Sequence, residues 1–445
     1  LVWRCPSRVR ALAVTASGRP VALAGTSAGH SVEPPRPWWA DEGTPVFPGQ
    51  DLECERVLLA DARALGAPRL LAATGERILF AVTVAGEVAL YEGGEGAAAR
   101  RVSPQGRSVA DFAVSPDGHV ALCLESATEP VELYLAGRRA SRLNAAWTAR
   151  ARPVAPESLT ATSADGLTVH GLLYRSPHAR PGGGDVLLRV HGGPHMTYGN
   201  AFDLETQAYA AAGFHVLLPE VRGSAGRGTA FRALSVGAWG RGDFDDLTAF
   251  ADLAVSSGLA APDRLYLTGG SYGGYLTNWA LTRTGRFRAA VSERSVSHVA
   301  SKYGTSDNGF TVNRHEFGGT DLYDARSAAL LWERSPLAHA ASVTTPLLLV
   351  HGEADERCPI EQSEEFYAAL RRRGHEVVFA RYPNASHGFA TSGRPDHRLH
   401  RLGLILDWLR THAADAEGPD PAGERAGAVT GTTGTGGTAG ERGDA

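Results

Sequence analysis

Lysine, cysteine and long hydrophobic runs are scarce in this sequence of 445 residues. Lys302 is the single lysine, so almost all of the positive charge comes from arginine. We interpret this as a compositional bias of the genome that locates no site. The net charge is -4 and no basic block forms a stripe that could neutralise a phosphate backbone, so nucleic acid is not expected as a partner.

The scarcity of apolar runs and of cysteines limits the class of protein further. No stretch reaches the ~18 consecutive apolar residues that a membrane-spanning helix needs, and the N-terminus lacks the pattern of a secretory signal. The cysteines have neither CxxC nor CxH spacing, which argues against a zinc site and a dense disulfide framework. They are Cys5, Cys54, Cys123 and Cys358. We therefore expect a soluble, cytoplasmic protein with no membrane partner, no metal and no cofactor.

Residues 1–148 contain short β-type runs separated by turns, such as Ser115-Pro116-Asp117-Gly118. The runs are Ile78–Val84, Glu87–Tyr91, Val109–Val114, His119–Leu124 and Val131–Leu135. A meander of short strands favours β-propeller blades, and ~40 to 45 residues per blade gives about three. Closed propellers need more blades, and the chain begins with Leu1, so we expect that it is truncated upstream. A small β-sandwich is the alternative.

Residues 149–412 alternate strand and helix patterns, which predicts an α/β domain with a mostly parallel sheet covered on both faces. The predicted strands are Val186–Val190, Val216–Pro219, Leu265–Thr268, Ala289–Ser292, Leu347–Val350 and Val377–Tyr382. The predicted helices are Asp243–Ser257, Glu361–Arg373 and Arg394–Thr411. Residues 413–445 are rich in Gly, Thr and Ala without periodicity, which predicts a disordered tail.

The motif Gly269-Gly270-Ser271-Tyr272-Gly273 lies between a predicted strand and an apolar helical run. That context is typical of the nucleophile elbow of an α/β-hydrolase, in which a strained turn projects the serine hydroxyl above the sheet. Ser271 is therefore the candidate nucleophile.

A serine hydroxyl needs an imidazole base, and in this fold the partners follow in the order serine, acid, histidine. The histidines that qualify by this order are His375, His387, His397, His400 and His412. We favour His387, because it lies in the loop directly after the last predicted strand. The acid is expected in the loop after Leu347–Val350, where we choose Asp355. Glu353 and Glu356 in the same loop stay open as alternatives.

Acyl transfer also needs N–H donors for the developing oxyanion. We expect one from Tyr272 and the other from the segment His191-Gly192-Gly193-Pro194, at Gly193, although that segment is also compatible with an ordinary Gly-Pro turn. Arg222 also follows a strand end, so it could face the site or pair with Asp245 or Asp246, and we favour the structural ion pair. Cys358, close to the candidate acid, is interpreted as a small buried hydrophobic residue.

Six motifs, in this order along the chain, resemble those of the prolyl oligopeptidase family, and most of all its acylaminoacyl-peptidase branch. They are HGGPH at 191–195, RGSAGRG at 222–228, GGSYGGY at 269–275, YGTSDNG at 303–309, HGEADERCPIEQSEEFY at 351–367 and SHGF at 386–389. The similarity runs from about Glu157 to Leu409.

The resemblance implies roles for the same residues that the pattern selects. Ser271 would be the nucleophile, Asp355 the acid and His387 the base, with Gly193 and Tyr272 as oxyanion donors. It also implies that an α/β-hydrolase domain is preceded by a β-propeller that restricts access to short peptides. The β-rich region here has too few blades for a whole propeller.

Three functional hypotheses follow. The leading one is a serine peptidase of acylaminoacyl-peptidase or oligopeptidase type, which hydrolyses short peptides through an acyl-enzyme at Ser271. The nearest alternative is a carboxylesterase, because the same catalytic parts hydrolyse esters. A third is a non-catalytic binding module that retains the fold.

Overall fold

The computed structural model describes residue 5 and residues 8–25, 32–61 and 67–413. The tail predicted at 413–445 lies outside the described residues from residue 414 onward.

Three antiparallel sheets of four strands each form the first part of the chain. The first sheet contains β1 (Val9–Val14), β2 (Pro20–Ala24), β3 (Arg36–Trp39) and β4 (Thr44–Pro45). The second sheet contains β5 (Leu71–Thr74), β6 (Arg77–Val84), β7 (Glu87–Gly94) and β8 (Ala97–Arg101). The third sheet contains β9 (Ser108–Val114), β10 (Val120–Ser126), β11 (Glu129–Leu135) and β12 (Arg138–Arg139). Strands adjacent in sequence are adjacent in each sheet, as a meander predicts. Within the described ranges the three sheets are separate, and the first and last strands of each are not paired with one another.

An eight-stranded mixed sheet forms the centre of the second part, with strand order β13-β14-β16-β15-β17-β18-β19-β20. Its strands are β13 (Glu157–Thr162), β14 (Thr168–Tyr174), β15 (Gly184–Val190), β16 (His215–Glu220), β17 (Ala260–Gly270), β18 (Ala289–Glu293), β19 (Leu347–Gly352) and β20 (Val377–Tyr382). β14 pairs antiparallel with both of its neighbours, and the other pairings, from β16 to β20, are parallel. The six predicted strands are all present, which confirms the α/β assignment.

Helices cover both faces of this sheet. They are α1 (Ala145–Ala151), α2 (Leu204–Ala211), α3 (Thr229–Arg232), α4 (Gly242–Ser256), α5 (Tyr272–Leu281), α6 (Val299–Thr305), α7 (Arg314–Glu316), α8 (Ala325–Glu333), α9 (Glu361–Arg371), α10 (Phe389–Ser392) and α11 (Pro395–Thr411). Shorter helical turns lie at Ala233–Ser235, Gly309–Asn313 and Pro336–Ser342.

The two-residue period of the strands divides the core between the two faces. Leu188 of β15 packs in a cluster with Phe250 of α4 and Leu276 of α5. Its neighbour Leu187 points to the other face and packs in a cluster that includes Ile405 of α11. Because both faces are buried, these strands are continuously apolar, which is why they could be recognised in the sequence.

The first part of the chain contacts the second along a tight backbone seam. The Gly86 carbonyl oxygen accepts the N–H of Asn200 at 2.7 Å, and a Cβ at Gly199 would overlap that same oxygen. Nearby, the segment around Leu58 forms a parallel bridge with Thr197. The loop that follows β15 is therefore held in place by the β-rich region.

Two searches of the structure were negative within the described ranges. No helix there is both long and apolar enough to cross a membrane. In the same ranges, no group of three or more His, Cys, Asp and Glu side chains is arranged to hold a metal ion.

A buried ion network joins α11 to the sheet. Arg401 is 3% exposed and donates to Glu205 of α2 at 2.9 Å and to Glu293 at the end of β18 at 2.5 Å. Arg189 of β15 donates to Asp203 at 2.8 Å and pairs with Glu205 at 3.3 Å. The burial of Glu205 raises its pKa, but Arg401 and Arg189 outweigh burial and hold the pKa of this carboxyl well below its usual range.

Replacing Arg401 by methionine should destabilise the protein by about 3 to 5 kcal/mol, because it leaves two buried carboxylates without their shared cation. The measurement is the free energy of unfolding from urea denaturation. Arg410→Met is the matched control: it lies on the same helix and pairs with Asp407 only at the surface, at 3.9 Å. It should change the free energy by less than about 1 kcal/mol. Equal effects of the two substitutions would contradict the structural role of the network.

Candidate active site

Ser271 occupies the turn between β17 and α5. β17 ends at Gly270 and α5 begins at Tyr272, so the predicted strand-turn-helix context is present. The Ser271 backbone has φ 60° and ψ -119°, a conformation that costs a residue with a side chain ~1 to 3 kcal/mol. Its N–H donates to the Glu293 carbonyl oxygen at 3.0 Å, which holds the strained turn against the end of β18.

Two glycines near Ser271 let backbone segments meet without side chains between them. A Cβ at Gly273 would overlap the Val190 carbonyl oxygen at the end of β15 and would lie 2.8 Å from the His191 carbonyl oxygen. A Cβ at Gly269 would overlap the Gly273 carbonyl group. The glycines of the motif are therefore required by close backbone approach.

Asp355 and His387 lie in the loops that follow β19 and β20, at the same edge of the sheet as Ser271. The Nδ1 atom of His387 lies 2.7 Å from Oδ2 of Asp355. The other carboxylate oxygen of Asp355 accepts the backbone N–H groups of Arg357 and Cys358, each at 2.9 Å. The carboxylate is 4% exposed and its two oxygens are engaged.

The other two carboxylates of this loop point elsewhere. Glu353 is exposed and pairs with Arg381 at 2.9 Å. Glu356 is also exposed, and its backbone carbonyl accepts the N–H of Asp307. Of the three candidates, Asp355 is the one whose carboxylate bonds to His387.

The electrostatics favour an ionised acid beside a neutral imidazole. Burial raises the pKa of Asp355, but hydrogen bonds from His351, His387 and the Cys358 N–H outweigh it and hold that pKa well below its usual range. Burial lowers the pKa of His387, and the positive charge of Arg294 lowers it further, against an opposing effect of Asp355. At neutral pH His387 is thus unprotonated at one nitrogen and can accept a proton.

The Ser271 hydroxyl faces Cys358 in this structure. Its Oγ lies 3.9 Å from Cys358 Sγ, and among the described side chains it makes no hydrogen bond to His387. Hydrogen bonds between nucleophile and base are often loose without substrate and tighten in the complex. The Ser271–His387 hydrogen bond therefore stays a prediction.

Cys358 is buried, as the sequence indicates. Burial raises the pKa of its thiol to about 11, so the thiol is uncharged at neutral pH and is a poor nucleophile.

The predicted oxyanion donors belong to two segments next to Ser271. Tyr272 is the first residue of α5, so its N–H has no partner within the helix. A Cβ at Gly192 would lie 3.5 Å from Ser271 Cβ, which brings the segment with Gly193 next to the nucleophile. His191 braces that segment, because its Nε2 atom lies 2.7 Å from Ser224 Oγ. The assignment of Gly193 and Tyr272 as donors stays a prediction.

Arg222 is a structural residue. Its guanidinium donates to Asp246 at 2.7 Å and to Asp165 at 2.7 Å, and its backbone N–H also donates to Asp246. The predicted pairing with Asp246 is confirmed, whereas Asp165 as its second partner was not anticipated.

Three charged or polar side chains around the site were not selected from the sequence. His351 is buried and its ring nitrogens lie 2.7 Å from Ser363 Oγ and the Cys358 carbonyl oxygen. Arg294 lies against Gly270, where an added Cβ would come 2.8 Å from its guanidinium carbon. Lys302 of α6, for which the composition indicates no role, is buried, and the segment after this helix contacts the loop that carries Asp355. The available signal was a position at the carboxyl end of a strand, which His351 has in β19 and Arg294 has directly after β18.

The chain is similar to known peptidases. Residues 200–416 match the family model described as the prolyl oligopeptidase family. The chain is 39% identical over 310 residues to the uncharacterized peptidase YuxL of Bacillus subtilis, a match that covers 68% of this chain and 47% of that protein.

Two solved structures are similar over most of this chain. The acylaminoacyl peptidase of Pyrococcus horikoshii has a TM-score of 0.80 and 26% identity, over 90% of this chain and 63% of that one. An acylaminoacyl peptidase in complex with Z-Gly-Gly-Phe-chloromethyl ketone has a TM-score of 0.79 and 27% identity, over 88% of this chain and 61% of that one. The chain spans about half the length of its curated relative and about three fifths of these structures.

Replacing Gly273 by alanine should disrupt the elbow, because the new methyl group would meet fixed backbone oxygens of β15. We expect a loss of several kcal/mol in the free energy of unfolding or insoluble protein. Gly403→Ala is the matched control, since a Cβ at this α11 position meets nothing within 4 Å. It should be neutral or stabilising by up to about 1 kcal/mol. Thermal denaturation of both variants tests this, and a stable Gly273→Ala variant would refute the close approach.

Proposed function

The chain carries the peptidase domain of the prolyl oligopeptidase family, and we propose that it hydrolyses short peptides by acyl transfer through Ser271. The observation that carries this proposal is the 2.7 Å contact between His387 Nδ1 and Asp355, in loops next to the strained turn of Ser271. A buried carboxylate that orients an imidazole beside a serine is the arrangement that acyl transfer requires.

In the proposed reaction His387 accepts the proton of the Ser271 hydroxyl as Oγ attacks the scissile carbonyl carbon. Asp355 holds the imidazole tautomer and stabilises the imidazolium that forms. The N–H groups of Gly193 and Tyr272 donate to the oxyanion. His387 then gives the proton to the departing amine as the peptide C–N bond breaks. Attack by water on the acyl-enzyme, with His387 again as base, releases the acid and restores Ser271.

Similarity to other proteins supports a peptide substrate. Two similar structures are of acylaminoacyl peptidases, and one of these contains a peptidyl chloromethyl ketone. We infer an acylaminoacyl-peptidase or oligopeptidase type of specificity for this chain. The three four-stranded sheets that precede the peptidase domain would act as part of a propeller-like filter that admits short peptides.

The test combines active-site labelling with a substrate panel. A fluorophosphonate probe should label the protein, and the Ser271→Ala variant should remain unlabelled. The protein should also turn over N-acylated amino acid anilides, free-amine dipeptide anilides or internally quenched peptides. Rapid hydrolysis of small esters without any cleavage of these amides would instead identify a carboxylesterase. The absence of both labelling and turnover would indicate a non-catalytic binding module.

Substitution of the other two residues should separate their roles. His387→Ala and Asp355→Asn should each lower kcat by on the order of 10^3-fold or more, because the imidazole is lost or held in the wrong tautomer. Glu353→Gln is the matched control, since this carboxylate bonds to Arg381 at the surface. It should leave kcat within about twofold. A larger effect of Glu353→Gln than of Asp355→Asn would reverse the assignment of the acid.

The pH dependence of kcat/KM should follow the titration of His387. Burial lowers its pKa from the usual value of 6.5, so the catalytically required neutral form persists below that pH. The activity should fall as the pH drops through the shifted pKa, with the midpoint of the acid limb below 6.5. Asp355, whose pKa is far lower, should stay ionised throughout. Initial rates between pH 4 and 9 measure this, and an acid limb centred above pH 7 would refute it.

A further inference from the structure

Lys302 is the only lysine in a chain with 44 lysine and arginine residues. Arginine supplies every other permanent side-chain cation, so Lys302 alone presents a compact ammonium group. A guanidinium presents five donors in a rigid fork, whereas an ammonium is a small point charge that fits a confined site. Lys302 lies in a buried position.

Lys302 and its neighbour Asn313 are buried, and together they present more hydrogen-bond donors than the acceptors around them satisfy. Lys302 lies in α6, is 5% exposed, and its Nζ donates to Asn313 Oδ1 at 2.8 Å. The Nδ2 group of Asn313, which is 2% exposed, has no hydrogen-bond partner. Buried donors of this kind are costly when unsatisfied. Together the ammonium and the amide form a donor site that a negatively charged acceptor would satisfy.

This donor site borders the loop that carries Asp355 and Cys358. After α6 the chain docks on that loop: Ser306 Oγ donates to the Arg357 carbonyl oxygen at 2.7 Å, and the Asp307 N–H donates to the Glu356 carbonyl oxygen at 2.9 Å.

Lys302 and Ser271 both have Cys358 as a neighbour. Burial raises the pKa of the Cys358 thiol and the charge of Lys302 acts against that rise, while Cys358 Sγ lies 3.9 Å from Ser271 Oγ. The segment after α6 therefore ties the helix of Lys302 to the loop whose Cys358 lies against Ser271.

The nearby carboxylates already have partners. Asp355 bonds to His387, and Asp307 forms a bidentate pair with Arg357 at 2.6 and 2.9 Å. Burial lowers the pKa of Lys302, as expected for an ammonium without a paired anion. Among the described residues, no carboxylate forms an ion pair with its Nζ, so its charge is available to a ligand.

We propose that Lys302, assisted by Asn313, binds an acidic side chain of the substrate, on the residue whose carbonyl is attacked by Ser271. The carboxylate must belong to a side chain, because the α-carbonyl of that residue is the scissile group. It belongs to the acyl side, because the leaving amine must meet His387, whereas the segment after α6 docks on the loop whose Cys358 lies 3.9 Å from Ser271 Oγ. The inference rests on the proposed peptidase function and specifies its preference for glutamate or aspartate.

The experiment compares N-acetyl-glutamyl and N-acetyl-glutaminyl p-nitroanilides, which differ by one charge at equal size. The wild-type protein should favour the glutamyl substrate in kcat/KM by about tenfold or more, mainly through KM. Lys302→Met, which keeps the length of the side chain, should abolish this preference and improve hydrolysis of the leucyl and methionyl anilides. Asn313→Asp should also reduce the preference, because it supplies Lys302 with an internal carboxylate.

Arg314→Met is the control for loss of one positive charge, since Arg314 is exposed next to Asn313 in sequence. It should retain the preference. An acidic residue placed after the scissile bond should give no advantage. Equal kcat/KM values for the glutamyl and glutaminyl substrates in the wild-type protein would overturn the inference while leaving the peptidase function intact.

A binding measurement separates this inference from catalysis. The Ser271→Ala variant is titrated calorimetrically with the α-amides of N-acetyl-glutamate and N-acetyl-glutamine, which differ only in the side-chain carboxylate. The glutamate compound should bind more tightly. The difference should disappear when Lys302→Met is added. Equal affinities would refute the inference even if the protein hydrolysed no peptide at all.

Discussion

The buried carboxylate of Asp355 imposes the strongest constraint on the site. A carboxylate that is withdrawn from water is stable only if its oxygens are engaged by donors. Here the donors are two backbone N–H groups, at Arg357 and Cys358, and the rings of His387 and His351. The course of the loop after β19, the position of the imidazole and the burial of the thiol beside Ser271 thus follow from satisfying one anion.

The parallel sheet makes this arrangement possible by ending its strands at one edge. β17, β19 and β20 deliver Ser271, Asp355 and His387 from distant parts of the sequence. The β-rich region reaches the same edge, where a Glu53 oxygen accepts the N–H groups of Gly226 and Gly228 at 2.9 Å each. The loop after β16, which would otherwise lie at the surface of the α/β domain, is thereby hydrogen-bonded to the β-rich region.

The sequence predicts the core of the fold better than its periphery. Strands buried on both faces, such as β15 and β19, are recognisable as continuous apolar runs, whereas β3 and β4 are short and depend on pairing partners. Chain order leaves five candidate histidines and the position after the last strand favours His387, whereas Asp355 is separated from Glu353 and Glu356 only by the turn that directs it inward. The environment of Lys302 could not be predicted from composition, because its burial and its single hydrogen-bond partner arise from tertiary packing.

The backbone contact between Gly86 and Gly199 leaves no room for a side chain between the two regions. A Cβ at Gly199 would overlap the Gly86 carbonyl oxygen, which already accepts the Asn200 N–H. A side chain at Gly199 would displace the Gly86 carbonyl oxygen and so widen the gap between the β-rich region and the loop after β15.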